Sequence, residues 1–319
     1  MNASTAKLRY HGTGGSLFGL AIQNGLLTII TLGIYSFWAK NKVREFHYSH
    51  TEIDGDRFAY HGTGGELFSG AMKASGVMII LSLAAGAATA MAGGDAAPPG
   101  VQAAIIGAFY LVLFPLVVVA INGARRYRLT RSSWRGIRFS FHGRWQEYLG
   151  LILSGTLLSI VTLGFYRPSF QNQRRAFFVT NARFGSEPFM YDGTGRDLLG
   201  QYVKTLLLTI PTLGLSWIWY AAFKHRYFWG HTAMRGARFR SAVSGGDLFK
   251  LHFTNLLLVV FTLGIAMPWA ITRTHAFWCD NITLRGTVDW ATIQQRAQTA
   301  TATAEGLAEG FDIDVGLGG

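Results

Sequence analysis

A ten-residue motif recurs along the chain, and its spacing constrains the fold more than any other feature of the sequence. The copies are RYHGTGGSLF from Arg9, AYHGTGGELF from Ala59, SFHGRWQEYL from Ser140, MYDGTGRDLL from Met190 and RSAVSGGDLF from Arg240. Successive copies lie 50 residues apart, except that the second interval is 31 residues longer. A fixed period of this length is typical of chains built from repeated supersecondary units. We therefore predict one domain of five internal repeats, at about 8–57, 58–138, 139–188, 189–238 and 239–290.

Each repeat predicts the same order of elements, which is a helix, a short helix and a β-hairpin. The glycine-rich motif supplies helix N-caps, because Ser or Thr followed three positions later by an acidic residue satisfies the first turn of a helix. The predicted capping residues are Thr13, Thr63, Glu66, Thr194, Asp197, Ser244 and Asp247. A Thr-Leu-Gly sequence follows in four repeats, and its Gly favours a helix end. Gly-containing turns between alternating segments, such as TEIDGDRFAY from Thr51, predict the hairpins.

The composition indicates a membrane protein. Hydrophobic residues make up 50% of the 319-residue chain and charged residues only 14%, with a mean hydropathy of +0.23. A soluble domain carries about 25% charged residues, so a typical soluble enzyme and a disordered chain are both excluded. Cys279 is the single cysteine, which excludes a disulfide framework and a cysteine-based metal site. The fold class predicted is mainly α, a multi-pass helical membrane protein with small cytoplasmic β-hairpins.

Two membrane topologies fit the apolar segments. These segments lie at about 17–38, 70–91, 101–122, 149–166, 198–222 and 248–271, and a bilayer takes about 20 helical residues. If each repeat crosses once, successive basic stretches fall on opposite sides of the membrane, against the positive-inside tendency. The longer second repeat holds two apolar segments around the acidic tip AGGDAAPPG. If Thr-Leu-Gly marks the equivalent tip elsewhere, the other repeats are short or re-entrant hairpins with every basic stretch on the cytoplasmic side. We favour these same-side hairpins over a simple alternation of six spans.

The net charge points to anionic lipid. The chain has 29 basic and 17 acidic residues, a formal charge of +12. In a membrane protein such an excess is typical of arginines held on the cytoplasmic face near anionic headgroups, and we expect no nucleic-acid partner. The candidate lipid-facing residues are Arg125, Arg126, Arg128 and Arg131. A membrane or cytoplasmic protein is a second candidate partner.

Polar residues within the apolar segments are the candidates for an intramembrane function. They are Asn24, Lys204, His252 and Asn255. Two interpretations stay open, hydrogen bonding between helices and a polar pathway through the bundle. The glycine-rich motif also suggests a phosphate cradle, but its acidic residues would repel phosphate, so we favour helix capping. The sequence shows no catalytic set, and we predict no catalytic residue, cofactor or metal. Residues 291–319 are acidic and rich in Ala, Thr and Gly, which predicts disorder.

The motifs YHGTGGSLF and TLGIYSFWAK, with the basic-aromatic stretches that follow, resemble those of the YjgN-like bacterial inner-membrane proteins, a family of unknown function. The resemblance covers about residues 8–290 and implies a multi-pass protein of the bacterial inner membrane. It implies no activity and no catalytic residue. The third and fifth motif copies, FHGRWQE and SAVSGGD, depart from the pattern, which favours a structural role for the glycine loop.

Two functions therefore stay open from the sequence. The first is a membrane scaffold or envelope component with a basic cytoplasmic face. The second is a transporter or channel for a small solute, with a polar pathway at the interface between repeats. We do not expect an enzyme under either hypothesis.

Overall fold

The computed structural model describes residues 5–288 together with Trp290 and Ile293, and within these residues the chain is mainly helical. The predicted disordered tail therefore lies outside the described residues, apart from Ile293. The helices are α1 (Gly14–Ile30), α2 (Ser36–Ser49), α3 (Gly64–Met91), α4 (Pro99–Thr130), α5 (Trp145–Val161), α6 (Arg167–Thr180), α7 (Gly195–Leu208), α8 (Ser216–Gly230), α9 (Gly245–Phe261) and α10 (Met267–Asp280). They follow one another in pairs, α1 with α2 through α9 with α10, and short strands follow each pair.

All the described strands belong to one antiparallel sheet. They are β1 (Thr5–Tyr10), β2 (Thr51–Ile53), β3 (Asp56–Tyr60), β4 (Ser132–Trp134), β5 (Ile137–Phe141), β6 (Ala182–Phe184), β7 (Glu187–Pro188), β8 (Met190–Tyr191), β9 (Thr232–Met234), β10 (Ala237–Ser241) and β11 (Ile282–Arg285). The strand order is β7-β6-β5-β4-β3-β2-β1-β11-β10-β9-β8. The two outermost strands, β7 and β8, are separated in the chain only by Phe189. The sheet therefore curls round until its edges meet, as a nearly closed barrel.

The hairpins form where the sequence predicts them, because their turns suit the twist of paired strands. Asp54 and Gly55 have φ of 53° and 84°, and Arg235 and Gly236 have φ of 48° and 81°. Two consecutive positive φ values define the type I′ turn, whose twist matches that of the flanking strands. Gly at the second position adopts this conformation without steric strain.

The barrel interior is filled by apolar side chains. Five of them occupy the third position of their strands, Ile53, Trp134, Phe184, Met234 and Leu284, and each is at most 6% exposed. Trp290 and Ile293 pack into the same cluster from the end of the described chain. The barrel is therefore a solid core that holds the strand-bearing ends of the helix pairs together.

The Thr-Leu-Gly segments reverse the chain between the two helices of a pair. In the first pair, Thr31 Oγ1 donates to Leu27 O at 2.7 Å and accepts from the Tyr35 backbone N–H at 2.9 Å. Leu32 has φ of 49° and Gly33 has φ of 93°. The sequence predicts a helix end at the glycine, and the structure adds a left-handed leucine before it. Left-handed backbone costs a non-glycine residue about 1–2 kcal/mol.

The ten helices form a closed ring around the end of the barrel. Each helix packs on the one before and the one after it, and α10 packs on α1. The strands β1 and β11 close the barrel at the same place, with Ala6 opposite Leu284. Every helix pair therefore leaves the barrel, reverses at a tip and returns to the barrel.

This arrangement differs from the alternative of six straight spans, because four of the six apolar segments contain a chain reversal. The predicted segment 17–38 contains α1, the reversal and the start of α2, so it is a hairpin arm with its tip. The segments 149–166, 198–222 and 248–271 contain the same reversal. Within the described residues, only α3 and α4 are long and apolar enough to cross a membrane.

Candidate functional site

The predicted helix caps lie at the starts of α1, α3, α7 and α9. Thr63 and Glu66 form a complete capping box, with both reciprocal hydrogen bonds at 3.2 Å. Thr13 accepts from the Ser16 backbone N–H at 3.2 Å, and Ser244 accepts from that of Asp247 at 3.1 Å. Thr194 differs, because its hydroxyl donates to the Asp197 carboxylate at 2.9 Å instead of capping a backbone N–H.

Close packing requires the first glycine after the cap residue in each of these loops. A Cβ at Gly64 would lie 2.5 Å from Cγ of Trp38. A Cβ at Gly245 would lie 2.3 Å from Cδ1 of Trp219. In each case the Trp belongs to the returning helix of the preceding pair. The glycine therefore lets one pair pack tightly on the next.

The acidic cap residues of the second and fourth pairs also link the two helices within their pair. Glu66 accepts from Tyr127 Oη at 2.7 Å and forms an ion pair with Arg131. Asp197 accepts from Tyr227 Oη at 2.7 Å. The capping residues thus fasten the start of the outgoing helix to the end of the returning helix.

The four candidate lipid-facing arginines lie among the helix ends, where one is buried and three are half-buried. Arg125 is only 9% exposed, with its guanidinium 5.4 Å from the ring centre of Phe178. Arg126 donates to Gly143 O at 3.2 Å, and Arg131 pairs with Glu66. Arg126, Arg128 and Arg131 are all half-buried. They lie at the end of α4, close before the barrel. Because all the helix pairs meet at the barrel, these arginines lie among the converging helix ends.

A set of exposed basic residues lies on the outer wall of the barrel. Strand alternation directs apolar side chains inward and basic side chains outward. The exposed residues are Lys7 and Arg9 on β1, Arg57 on β3, Arg138 on β5, Arg238 and Arg240 on β10, and Arg285 on β11. We call this surface the basic wall.

The four candidate intramembrane residues do not converge on one pathway. Asn24 and Asn255 are buried, at 5% and 9% exposure. Asn255 donates to Ala270 O and Thr274 Oγ1 of α10 at 3.3 and 3.1 Å. Lys204 and His252 are exposed on α7 and α9. The hydrogen bonds of Asn255 support the interpretation that the buried asparagine joins the two helices of its pair.

The structure brings together a set of basic residues of which the sequence interpretation named only Arg125. We call them the basic ring: Arg44, Arg125, Arg175, His225 and His275, one from the second helix of each pair. Each lies seven residues before the first residue of the next strand, so all five stand at the same depth below the barrel. The last four are 50 residues apart in the sequence. An alignment of the repeats by this position would have found them.

Contacts around the basic ring run from each pair to the next. Arg125 lies over Phe178 of α6, and Arg175 lies 5.8 Å from the ring centre of Phe228 in α8. His225 packs against Trp278 of α10 with the ring centres 4.4 Å apart. His275 then stacks against His47 of α2 at 3.8 Å. Because the first and last pairs also meet, the basic ring encircles a common axis.

Burial and neighbouring charge keep the histidines of this region neutral. The pKa of His225 is lowered to about 4 by burial and by the positive charges of Arg175 and Arg226. The pKa of His47 is lowered to about 3, chiefly by burial, with His275 and His50 adding to the shift. The permanent positive charge of the basic ring therefore comes from Arg44, Arg125 and Arg175.

Within the described residues, no group of three His, Cys, Asp or Glu side chains is arranged to hold a metal ion. A cavity of about 380 Å³ lies at the barrel and is lined by Trp134, Arg135, Ile137, Phe184 and Trp290. These are mainly apolar core residues, so the cavity is a shallow extension of the barrel core.

Sequence comparison then places the chain in a family. A family described as bacterial protein of unknown function (DUF898) matches residues 5–215 and 199–310. The chain belongs to this family. The predicted membership of a YjgN-like family of unknown function is thereby confirmed.

Two curated relatives share a short stretch with this DUF898 member. Inner membrane protein YjgN of Escherichia coli (strain K12) is 42% identical over 59 residues, which is 18% of this chain and 15% of the relative. Inner membrane protein YjgN of Salmonella typhimurium (strain LT2) is 42% identical over 52 residues, which is 16% of this chain and 13% of the relative. The shared stretch thus spans a small part of each relative. No solved structure matches the chain.

Proposed function

We propose that the chain is a multi-pass inner-membrane protein built from five repeats, which acts as a scaffold and presents its barrel and basic wall to the cytoplasm. The observation that carries the proposal is the row of apolar tips opposite the barrel. The tip leucines, Leu32, Leu163, Leu213 and Leu263, are 89–94% exposed. An exposed apolar surface of this kind is typical of membrane or protein contact.

The helix lengths favour one crossing pair and four re-entrant pairs. The arms α1, α5 and α9 each have 17 residues, which is about 25 Å of helix and less than the roughly 30 Å of hydrocarbon. The helices α3 and α4 have 28 and 32 residues and carry Asp95 near their tip. Hydrogen-bonded hairpins can enter a bilayer without crossing it when neighbouring helices enclose them.

The single sheet supports hairpins that all lie on one side. Strands on opposite sides of a bilayer could not pair, so simple alternation of the repeats does not suit this barrel. The basic wall then favours the cytoplasm as that side, because basic residues near membrane ends are retained there. The names of the two YjgN relatives support the inner membrane as the location.

A scaffold suits this arrangement better than a transporter with a pathway at the interface between repeats. Asn255 is engaged within its own helix pair, and Lys204 and His252 are exposed. The basic wall offers the surface that would meet anionic headgroups or an acidic partner protein. Each basic residue near an anionic leaflet adds about 1 kcal/mol of attraction.

Cysteine accessibility tests the topology. In a Cys279→Ser background, single cysteines replace Asp95 at the long tip, Leu213 at a short tip and Arg240 on the basic wall. We expect a membrane-impermeant maleimide to label the Asp95 position from the periplasm and the Arg240 position only after the inner membrane is opened. The Leu213 position should resist the aqueous reagent and be quenched by a lipid-phase nitroxide when it carries a fluorophore. Labelling of the Arg240 position in sealed cells would refute the proposal.

A further inference from the structure

The basic ring holds three arginines next to one another, and this arc is the strongest unexplained feature of the molecule. Arg44, Arg125 and Arg175 belong to three successive helix pairs. Their common distance from the following strands sets them at one level. The two remaining members, His225 and His275, complete the ring on the other side.

The guanidinium groups lie close enough to act on common neighbours. Arg44 and Arg125 both act electrostatically on Tyr48, and Arg125 acts directly on Arg175. Arg125 is pressed against Phe178, which lies one helical turn after Arg175 on α6. Arg128, one turn after Arg125, adds its charge to the same region.

Burial makes this concentration of positive charge costly in the absence of an anion. Arg125 is 9% exposed and Arg175 is half-buried. The Nε–H group of Arg175 is buried and has no hydrogen-bond partner among the described residues. The ionisable side chains that act on Arg175 are Arg125, which repels it, and Tyr191. Buried like charges destabilise a fold unless opposite charge and hydrogen bonds compensate.

The histidine side of the basic ring is chemically different. Both ring nitrogens of His225 are engaged, with Ser241 Oγ at 2.9 Å from Nδ1 and Trp229 Nε1 donating to Nε2 at 3.0 Å. His275 stacks against both Tyr10 and His47. A ligand would therefore be held on the arginine side.

We propose that Arg44, Arg125 and Arg175 form a binding site for a phosphate-type oxyanion on the axis of the helix ring. The planar guanidinium fork matches the oxygens of phosphate, and several forks around one group neutralise its double charge. Cation–π contacts hold the guanidinium of Arg125 on Phe178 and that of Arg175 against Phe228 and Trp229. The anion is either free phosphate or the phosphate of a lipid headgroup, and the membrane topology proposed above is not needed for this assignment.

Inorganic phosphate is the first probe, titrated into the full-length protein in a neutral detergent and followed by calorimetry. We expect saturable binding that sulfate competes with and chloride does not. Arg125→Gln and Arg175→Gln should each weaken binding at least tenfold. The matched control is Arg174→Gln, because Arg174 is the exposed neighbour of Arg175 on the same helix. It should bind within twofold of the unmodified protein.

Thermal unfolding separates a ligand site from a purely structural role. Without phosphate, Arg175→Gln should unfold at or above the wild-type midpoint, because the variant removes one of several like charges. With phosphate, the unfolding midpoint of the wild-type protein should rise above that of the variant. A structural arginine would instead lower the midpoint of the variant equally under both conditions. Arg175→Lys keeps the charge but loses the planar fork of the guanidinium, so it should bind phosphate with intermediate affinity. This variant replaces Arg175→Gln in the test if the Gln variant does not fold.

A lipid arm distinguishes the two sources of phosphate. Native mass spectrometry compares retention of phosphatidic acid with that of diacylglycerol, which lacks the phosphate. Retention of phosphatidic acid that depends on Arg125 and Arg175, without binding of inorganic phosphate, assigns the site to a headgroup. Binding of inorganic phosphate that phosphatidic acid does not displace assigns it to the free ion. The proposal is overturned if neither binds, or if the two Gln variants bind as the Arg174→Gln control does.

Discussion

The imidazole rings of His47 and His275 stack with their centres 3.8 Å apart, and they join the returning helices of the first and fifth pairs. Tyr10 Oη lies 2.7 Å from Nδ1 of His47, which adds the first strand to the same junction. Residues from the two ends of the described chain therefore hold the ring of helices closed.

Acid should weaken the junction through His47. Its pKa is about 3 in the folded chain, against 6.5 when unperturbed, so between these values the unfolded chain binds a proton that the folded chain does not. Stability should therefore fall as the pH drops below about 6.5, by about 1–2 kcal/mol at a pH of about 5 for this one group. Denaturant unfolding of the purified protein across this range measures the effect. His47→Gln should flatten the dependence, and an unchanged slope would contradict the assignment.

The glycine at the start of α3 should not tolerate a methyl group. Gly64→Ala places a Cβ 2.7 Å from the Trp38 Cα, so backbone must move, and we expect a loss of about 1–3 kcal/mol in unfolding free energy. Gly65→Ala is the matched control, since nothing lies within 4 Å of its Cβ. That variant should be neutral or up to about 1 kcal/mol more stable. Equal losses in both variants would show that helix–helix packing is not the reason for the motif.

The pair Glu66 and Arg131 should show strong energetic coupling. The two side chains are 32% and 21% exposed, and Glu66 also accepts from Tyr127. A double-mutant cycle with Glu66→Gln and Arg131→Gln should give a coupling free energy of about 1–3 kcal/mol, because hydrogen bonds between charged and partly buried groups are strong. Asp56 and Arg135 on the barrel form the comparison pair, since Asp56 is 49% exposed. Their coupling should stay below about 1 kcal/mol.

The tip leucines should stabilise the protein only when lipid is present. Asn tolerates left-handed backbone, so Leu213→Asn should fold normally in detergent. In lipid nanodiscs the wild-type protein should gain stability over the variant, by about 1.5–3 kcal/mol for a leucine buried in hydrocarbon. Met190→Asn, an exposed change on the barrel, should show no difference between the two media. If the effect of Leu213→Asn were also the same in detergent and in nanodiscs, the tips would lie outside the bilayer.

Local features of the fold were predictable from the sequence because short-range chemistry determines them. The cap at Thr63 and Glu66 and the turn at Asp54 and Gly55 form where the residue types require them. The order of helix, shorter helix and strands follows from the same signals in the first, third and fifth pairs, whereas the two helices of the fourth pair, with 14 and 15 residues, are nearly equal in length. The second pair differs because Pro99–Thr130 extends its returning helix.

Closure of the barrel was not predictable, because it depends on residues far apart in the chain. The pairing of Ala6 with Leu284 leaves no local signal in either strand. The inward orientation of Arg125 depends on the same closure, since only the gathered helix ends bring Phe178 beneath it. A basic stretch after an apolar helix therefore suggested lipid contact, although the barrel places Arg125 inside. The regular spacing of Arg125 and Arg175 was present in the sequence. Only the closed ring of helices shows that this spacing places the two residues side by side.

A ring made of separate identical subunits must be the same in every sector, whereas a ring within one polypeptide is free to differ from sector to sector. Here, among the helices that the structure describes, a single sector, α3 with α4, has helices long enough to cross a bilayer. Under the topology that we propose, the body would be tethered off-centre, with the long hairpin as a fixed post at its rim. The four shorter hairpins would then be able to rise and sink about that post, so that the axis of the ring tilts as the surrounding bilayer thins or thickens.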